Sequence, residues 1–270
     1  MFINWGIEAV KWRNSVRTVQ HVSFSKALQA VFSGVSFSVT TPNRIGEYFG
    51  RMIYMQEGNR LRTISITIVS SMSQLIITLL AGSIGLFILK DELEARQYIS
   101  PMWMCVIMYG VLAEFTGLTL IYYRLSWMVK WVSRLPGSKR FFYLVQAIQE
   151  FDSRLLVRLL ALSLLRFAVF ILQYGLLFVL FGVHLSAVEI LCSVSVAFLV
   201  MAIIPTIAIA ELAQRGKVVT AIVGLYSTNE LGITFATAGI WFINLILPAI
   251  IGSLLILRMR KIVSAEQSSG

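Results

Sequence analysis

Unbroken apolar stretches run from about Ile64 to Leu89, Ile99 to Tyr123, Leu155 to Phe181 and Leu231 to Leu257. Each is long enough to cross a bilayer as a helix, which takes about 20 predominantly apolar residues. Two further runs are shorter, Ala27 to Thr41 and Val188 to Ile204, and each stops at a proline, Pro42 and Pro205. Runs of that length fit re-entrant or broken helices better than full crossings. Phe2 to Val10 is shorter still and reads as the last turns of a helix that starts earlier. The pattern therefore predicts an all-α fold: a polytopic integral membrane bundle, one transmembrane domain over residues 1–270, with two broken-helix hairpins.

Composition leaves few alternatives. Of 270 residues, 57% are hydrophobic and only 13% charged, and the mean hydropathy is +0.80. That is too little polar side chain to cover a water-soluble globule. The net charge of +10 would suit nucleic acid if the cations formed a face on a polar domain. They sit instead at the ends of apolar runs, as the positive-inside rule and anionic lipid heads require, so no nucleic-acid partner is expected. Cys105 and Cys192 both fall within apolar runs, which argues against a disulfide framework or a zinc site. Glu8, Lys11 and Arg13 interrupt the first apolar stretch, so no cleavable signal peptide is read there.

Lysine and arginine also orient the chain. Most lie in the stretches 11–26, 44–62, 124–154 and 258–261, whereas Lys90, Arg96, Arg215 and Lys217 fall on the opposite side and Arg158 and Arg166 inside a span. The C-terminus and the 124–154 connection are therefore expected in the cytoplasm, in a cell (inner) membrane. Within that connection Trp127, Lys130, Trp131, Arg134, Lys139 and Arg140 mix rings with cations, the composition of an interfacial anchor. With this orientation the first short run must dip into the membrane and return on one side, and the second on the other. Two hairpins entering from opposite faces imply an inverted repeat, with halves at about 27–89 and 188–257.

The residues after the two prolines support the pairing. Thr41-Pro42-Asn43-Arg44-Ile45-Gly46-Glu47-Tyr48-Phe49-Gly50-Arg51 and Ile204-Pro205-Thr206-Ile207-Ala208-Ile209-Ala210-Glu211-Leu212-Ala213-Gln214-Arg215 each place a glutamate five or six positions after proline and an arginine four further on. At that spacing Glu47 and Arg51, and Glu211 and Arg215, share a helix face in the favourable order. Either each arginine only neutralises its glutamate at membrane depth, or the pairs line a polar cavity that meets a charged lipid head or a coupling ion. Gln74, Glu114, Arg158, Arg166, Gln173 and Asn244 are further polar residues in or near apolar runs. Arg166 has no acidic neighbour within a turn and needs a partner on another helix or a phosphate, whereas Gln173 and Asn244 also fit interhelical hydrogen bonds. The expected partners are membrane lipids with an anionic or phosphate-bearing head, together with a second copy or another membrane protein.

No metal spacing, phosphate loop or nucleophile elbow is present, and His21 and His184 fall in loops near opposite membrane faces. No cofactor, metal or catalytic residue is expected, and the chain is not read as an enzyme.

Three segments resemble the flippase-like transmembrane domain of lysylphosphatidylglycerol synthases, the N-terminal region of multiple-peptide-resistance proteins. They are Asn4-Trp5-Gly6-Ile7-Glu8-Ala9-Val10-Lys11-Trp12, the Pro-x-Arg-x-Gly-Glu core at Pro42, Arg44, Gly46 and Glu47, and Trp241-Phe242-Ile243-Asn244-Leu245-Ile246-Leu247-Pro248-Ala249. The resemblance covers nearly the whole chain. It implies a bacterial or archaeal inner-membrane protein whose relatives begin one or two spans earlier and move an aminoacylated phospholipid between leaflets. No counterpart of those relatives' synthase domain is read in these 270 residues, so no lipid-modifying activity is expected of them. The expected function is translocation of a lipid or lipid-linked amphiphile, passive or ion-coupled, with Glu47 and Glu211 as candidate proton carriers. The alternative is an accessory protein that positions a lipid or envelope enzyme through its basic aromatic loop.

Overall fold

A computed structural model describes residues 1–125, 148, 151–204 and 208–268. The anchor candidates Trp127, Lys130, Trp131, Arg134, Lys139 and Arg140, and the second proline, Pro205, lie outside these residues. Among the described residues all regular structure is helical. The helices are α1 (Phe2–Val16), α2 (Phe24–Ser38), α3 (Gly46–Met52), α4 (Arg60–Ile88), α5 (Lys90–Ala95), α6 (Pro101–Tyr123), α7 (Ser153–Leu180), α8 (Ala187–Ile203), α9 (Ala208–Val223), α10 (Glu230–Trp241) and α11 (Leu247–Ser268).

Four helical stretches are long and apolar enough to span a membrane: Glu57–Ile88, Pro101–Tyr123, Ser153–Leu180 and Glu230–Arg258. They coincide with the four long apolar runs. Their starts follow local chemistry: Pro101 opens α6, the Asp152 carboxylate accepts from the Leu155 amide at 2.8 Å ahead of α7, and Ser186 and Glu189 close a reciprocal capping box ahead of α8.

The short runs become α2 and α8, of 15 and 17 residues. At 1.5 Å per residue these reach about 22 to 26 Å, less than a bilayer core of about 30 Å. After α2 the chain makes a tight turn at Pro42–Arg44 and folds back as α3. The Thr41 hydroxyl accepts from the Gly46 amide at 2.8 Å and fixes the corner. Glycine lets the two helices meet backbone to backbone, since a β-carbon on Gly50 would stand 2.6 Å from the Gly34 Cα. The N-terminal run belongs to α1, which extends past Val10 to Val16 and is largely buried against α2, α4 and α7.

Two apolar cores divide the molecule lengthwise. One gathers Trp5 and Trp12 of α1, Val31 of α2, Ile66 and Val69 of α4, and Leu156 and Leu159 of α7. The other gathers Leu79 and Leu86 of α4, Tyr174 and Phe178 of α7, Leu199 of α8, and Val223 of α9. Because α4 and α7 run through both cores, the α2–α3 and α8–α9 hairpins sit at opposite ends of them. The packing is also reciprocal. Helix α2 lies on α11, where a β-carbon at Gly252 would come within 2.0 Å of the Phe32 carbonyl, and α8 lies on α4, where one at Gly82 would come within 2.6 Å of the Leu199 β-carbon.

One interruption was not expected. Residues Phe242–Ile246, between α10 and α11, form a π-helical segment. Pro248 accounts for it: lacking an N–H, it cannot bond the carbonyl four residues back, that of Asn244, and its ring crowds that same carbonyl. The helix relieves the clash by widening there.

Candidate functional site

On α1 the residues Asn4, Glu8, Lys11 and Ser15 recur at helical spacing and form a buried polar stripe among the buried apolar side chains Trp5, Ile7, Ala9, Trp12 and Val16. Glu8 is its centre. One carboxylate oxygen accepts from Arg51 at 2.9 Å, and the other accepts from Arg166 at 2.7 Å and meets the Lys11 ammonium at 3.3 Å. Arg51 also pairs with Glu47, one turn before it on α3. The three cations around Glu8 come from α1, α3 and α7, so this carboxylate ties three helices together.

The network continues from Arg166. Its Nε donates to the Asn4 side-chain oxygen at 2.7 Å, and the Asn4 amide donates to the Asn244 oxygen at 2.9 Å. Asn244 in turn donates to the Ile240 carbonyl at 3.2 Å. This places Asn244 inside the π-helical segment and connects it to the Glu8 cluster. Arg166 is also flanked by rings, with its guanidinium 5.4 Å from the Trp5 centroid and 5.5 Å from that of Phe170.

A second cluster lies on α9. Glu211 pairs with Arg215 one turn later, and its two oxygens also accept from Arg44 Nη2 at 3.1 and 3.3 Å. The corner of the first hairpin thus reaches the second hairpin. Arg44 does so from a left-handed backbone, φ +57°, uncommon for a residue with a side chain. Arg215 packs 5.7 Å from the Phe198 ring.

Between the two clusters lies a cavity of about 610 Å³, within the range of roughly 300 to 1,000 Å³ found for small-molecule sites. It is lined by Trp5, Arg44, Gln74, Arg166, Glu211, Arg215 and Asn244, with Phe167, Phe170, Phe198, Met201, Ile203, Ile204 and Trp241 among the apolar walls. Elements of both proposed halves contribute. Three polar atoms on its lining residues are buried without a hydrogen-bond partner: Trp5 Nε1, Gln74 Oε1 and Arg215 Nε.

Of the residues suggested by the sequence, Arg44, Gln74, Arg166, Glu211, Arg215 and Asn244 line the cavity. Pro42, Gly46, Glu47, Arg51 and Gln173 do not. Pro42 and Gly46 shape the corner that carries Arg44, and Gly46 is buried against α2. The expectation that both glutamate–arginine pairs face one cavity is corrected on this point: the Glu47–Arg51 pair is turned toward α1, where Glu8 shares Arg51. Gln173 has a buried oxygen without a partner elsewhere on α7. Glu114 and Arg158 are exposed on the outward faces of their spans. Asn4, Trp5, Glu8 and Lys11 were missing from the candidate set. A glutamate and a lysine inside an apolar helix are themselves the signal that finds them. Among the described residues no group of three histidine, cysteine, aspartate or glutamate side chains is arranged to hold a metal ion.

The family model described as Lysylphosphatidylglycerol synthase TM region matches residues 1–252, and the chain belongs to that family. No curated protein and no solved structure matches it significantly.

Proposed function

We propose that this member of the lysylphosphatidylglycerol synthase transmembrane-region family carries a lipid, or a lipid-linked amphiphile, from one leaflet to the other without chemically altering it. The observation that carries the reading is the cavity, where arginines and unpartnered polar atoms are set among aromatic and aliphatic side chains. That mixed lining suits a molecule with a polar head and an apolar tail. In this reading α2–α3 and α8–α9 are re-entrant hairpins of an inverted repeat, entering from opposite faces, and the cavity is exposed alternately as one moves against the other. Their short helices, their positions at opposite ends of α4 and α7, and the reciprocal packing of α2 on α11 and α8 on α4 support it.

In this proposal the C-terminus lies on the cytoplasmic side of the cell membrane, the orientation that the distribution of basic residues favours. Movement is passive or coupled to an ion gradient. Glu211, on the cavity wall, is the better-placed proton carrier of the two glutamates. The test is reconstitution into liposomes bearing labelled phospholipids. Accelerated flipping by the wild-type protein, altered in Glu211→Gln, is expected. Flip rates equal to those of protein-free liposomes would sink the proposal.

A further inference from the structure

Charge balance in the cavity identifies the head group it favours. Its lining carries three arginines, Arg44, Arg166 and Arg215, against one carboxylate, Glu211. The cluster behind Arg166 does not restore neutrality, because Glu8 and Glu47 face Lys11 and Arg51 as well as Arg166. Taken together, five cations meet three anions. Uncompensated positive charge in a poorly hydrated site is costly, and an anion entering it recovers that cost.

The position for the anion is already marked. Glu211 holds its carboxylate between Arg44, whose Nη2 donates to both oxygens, and Arg215, whose Nη2 donates to Oε1; guanidinium groups placed in this way can equally donate to phosphate oxygens. Two buried donors on the cavity lining, Trp5 Nε1 and Arg215 Nε, have no acceptor. The Glu211 carboxylate has two oxygens, both already bonded to arginine, whereas a phosphate monoester brings three terminal oxygens and so more acceptor sites. Gln74 Oε1 is left to accept from a protonated phosphate oxygen or a head-group hydroxyl. Arg44 is the more accessible partner, with its side chain 42% exposed against 12% for Arg215.

We infer that the cavity is a binding site for a phosphate ester of net negative charge, whose phosphate takes the place of Glu211 between Arg44 and Arg215 and so releases the link between the two hairpins. This rests on the translocation reading and deepens it by naming the class of substrate. A head group capped by an amino acid with a free ammonium puts positive charge among arginines and is disfavoured by the same balance.

The test is equilibrium binding of a dye-labelled short-chain phosphatidic acid to the full chain in detergent, read by fluorescence polarisation with unlabelled competitors. Phosphatidic acid is expected to compete at a concentration about tenfold or more below phosphatidylcholine and lysyl-phosphatidylglycerol. Inorganic phosphate competing as well as the lipid assigns the site to free phosphate; competition by the lipid alone assigns it to the head group of an amphiphile. Either result supports the phosphate site. Glu211→Gln is expected to tighten binding several-fold by removing the internal competitor, and Arg44→Gln to weaken it about tenfold. Equal competition by the zwitterionic or cationic lipids overturns the inference, and needs no variant. So does weaker binding in a Glu211→Gln protein that elutes as a folded species. Selective phosphatidic acid binding without lipid flipping would defeat the translocation reading alone, and flipping without charge selectivity would defeat this one alone.

Discussion

The two hairpins share a plan but differ in how their ion pairs are held. In the first, Arg51 is about 1% exposed and is divided between Glu47 and Glu8, while the helices touch through Gly34 and Gly50. In the second, Glu211 faces the cavity, its outer partner Arg44 is half exposed, and Gly216 of α9 has open space beside it. Similar glutamate–arginine spacing therefore produces a sealed joint in one place and an exchangeable one in the other. What separates them is α1, which covers the first pair with Glu8 and leaves the second uncovered.

The largest effect is expected from removing the charge that seals the first joint. Glu8→Gln leaves Lys11, Arg51 and Arg166 competing for what remains, and is expected to cost about 3 to 5 kcal/mol of stability, as removal of one partner from a buried ion cluster does. Thermal unfolding in detergent, beside wild type, measures it. Next comes Gly50→Ala, whose β-carbon would collide with the Gly34 backbone. A loss of about 1 to 3 kcal/mol is expected in the same assay, whereas Gly216→Ala, with nothing within 4 Å, is expected to be neutral or to stabilise by up to about 1 kcal/mol. If the two glycine variants lose stability equally, the contrast between the hairpins fails.

Glu211→Gln is expected to cost about 1 to 3 kcal/mol, less than Glu8→Gln because Arg44 can turn to water or lipid head groups and only Arg215 is left buried without its carboxylate. A loss as large as that of Glu8→Gln would show both joints to be sealed. The smallest effect is expected at Asn244→Leu. It gives up one interhelical hydrogen bond, to Asn4, for about 1 kcal/mol, while the π-helical segment persists because Pro248 causes it. Hydrogen exchange at residues 242–248 would check that persistence.

Much of this was legible in the chain because the bilayer imposes it. The four spans follow from uninterrupted apolar length, and α2 and α8 from apolar runs that stop short at prolines. The two glutamate–arginine pairs follow from local helical spacing. What was not legible depends on long-range closure. Arg51 lies 43 positions from Glu8, Arg166 lies 158 from it, and Asn4 lies 240 from Asn244. No local pattern states which distant residue a buried charge will meet. Glu8 and Lys11 advertised the need for partners but not who they were. Arg44 was legible as part of a motif, yet its reach to Glu211 depends on a left-handed corner that nothing in its side chain foretells.

The widened turn at Phe242–Ile246 has a mechanical meaning. A continuous helix transmits a push along its whole length, but one with a broken hydrogen-bond ladder behaves as two rods on a short compliant joint. Here one rod, α11, carries α2 on its flank, and the other, α10, packs on α9. Motion of one hairpin can then bend the span instead of dragging the other hairpin with it. The Asn4–Asn244 bond anchors that joint to α1, so the N-terminal helix would act as the fixed mount about which the two rods swing.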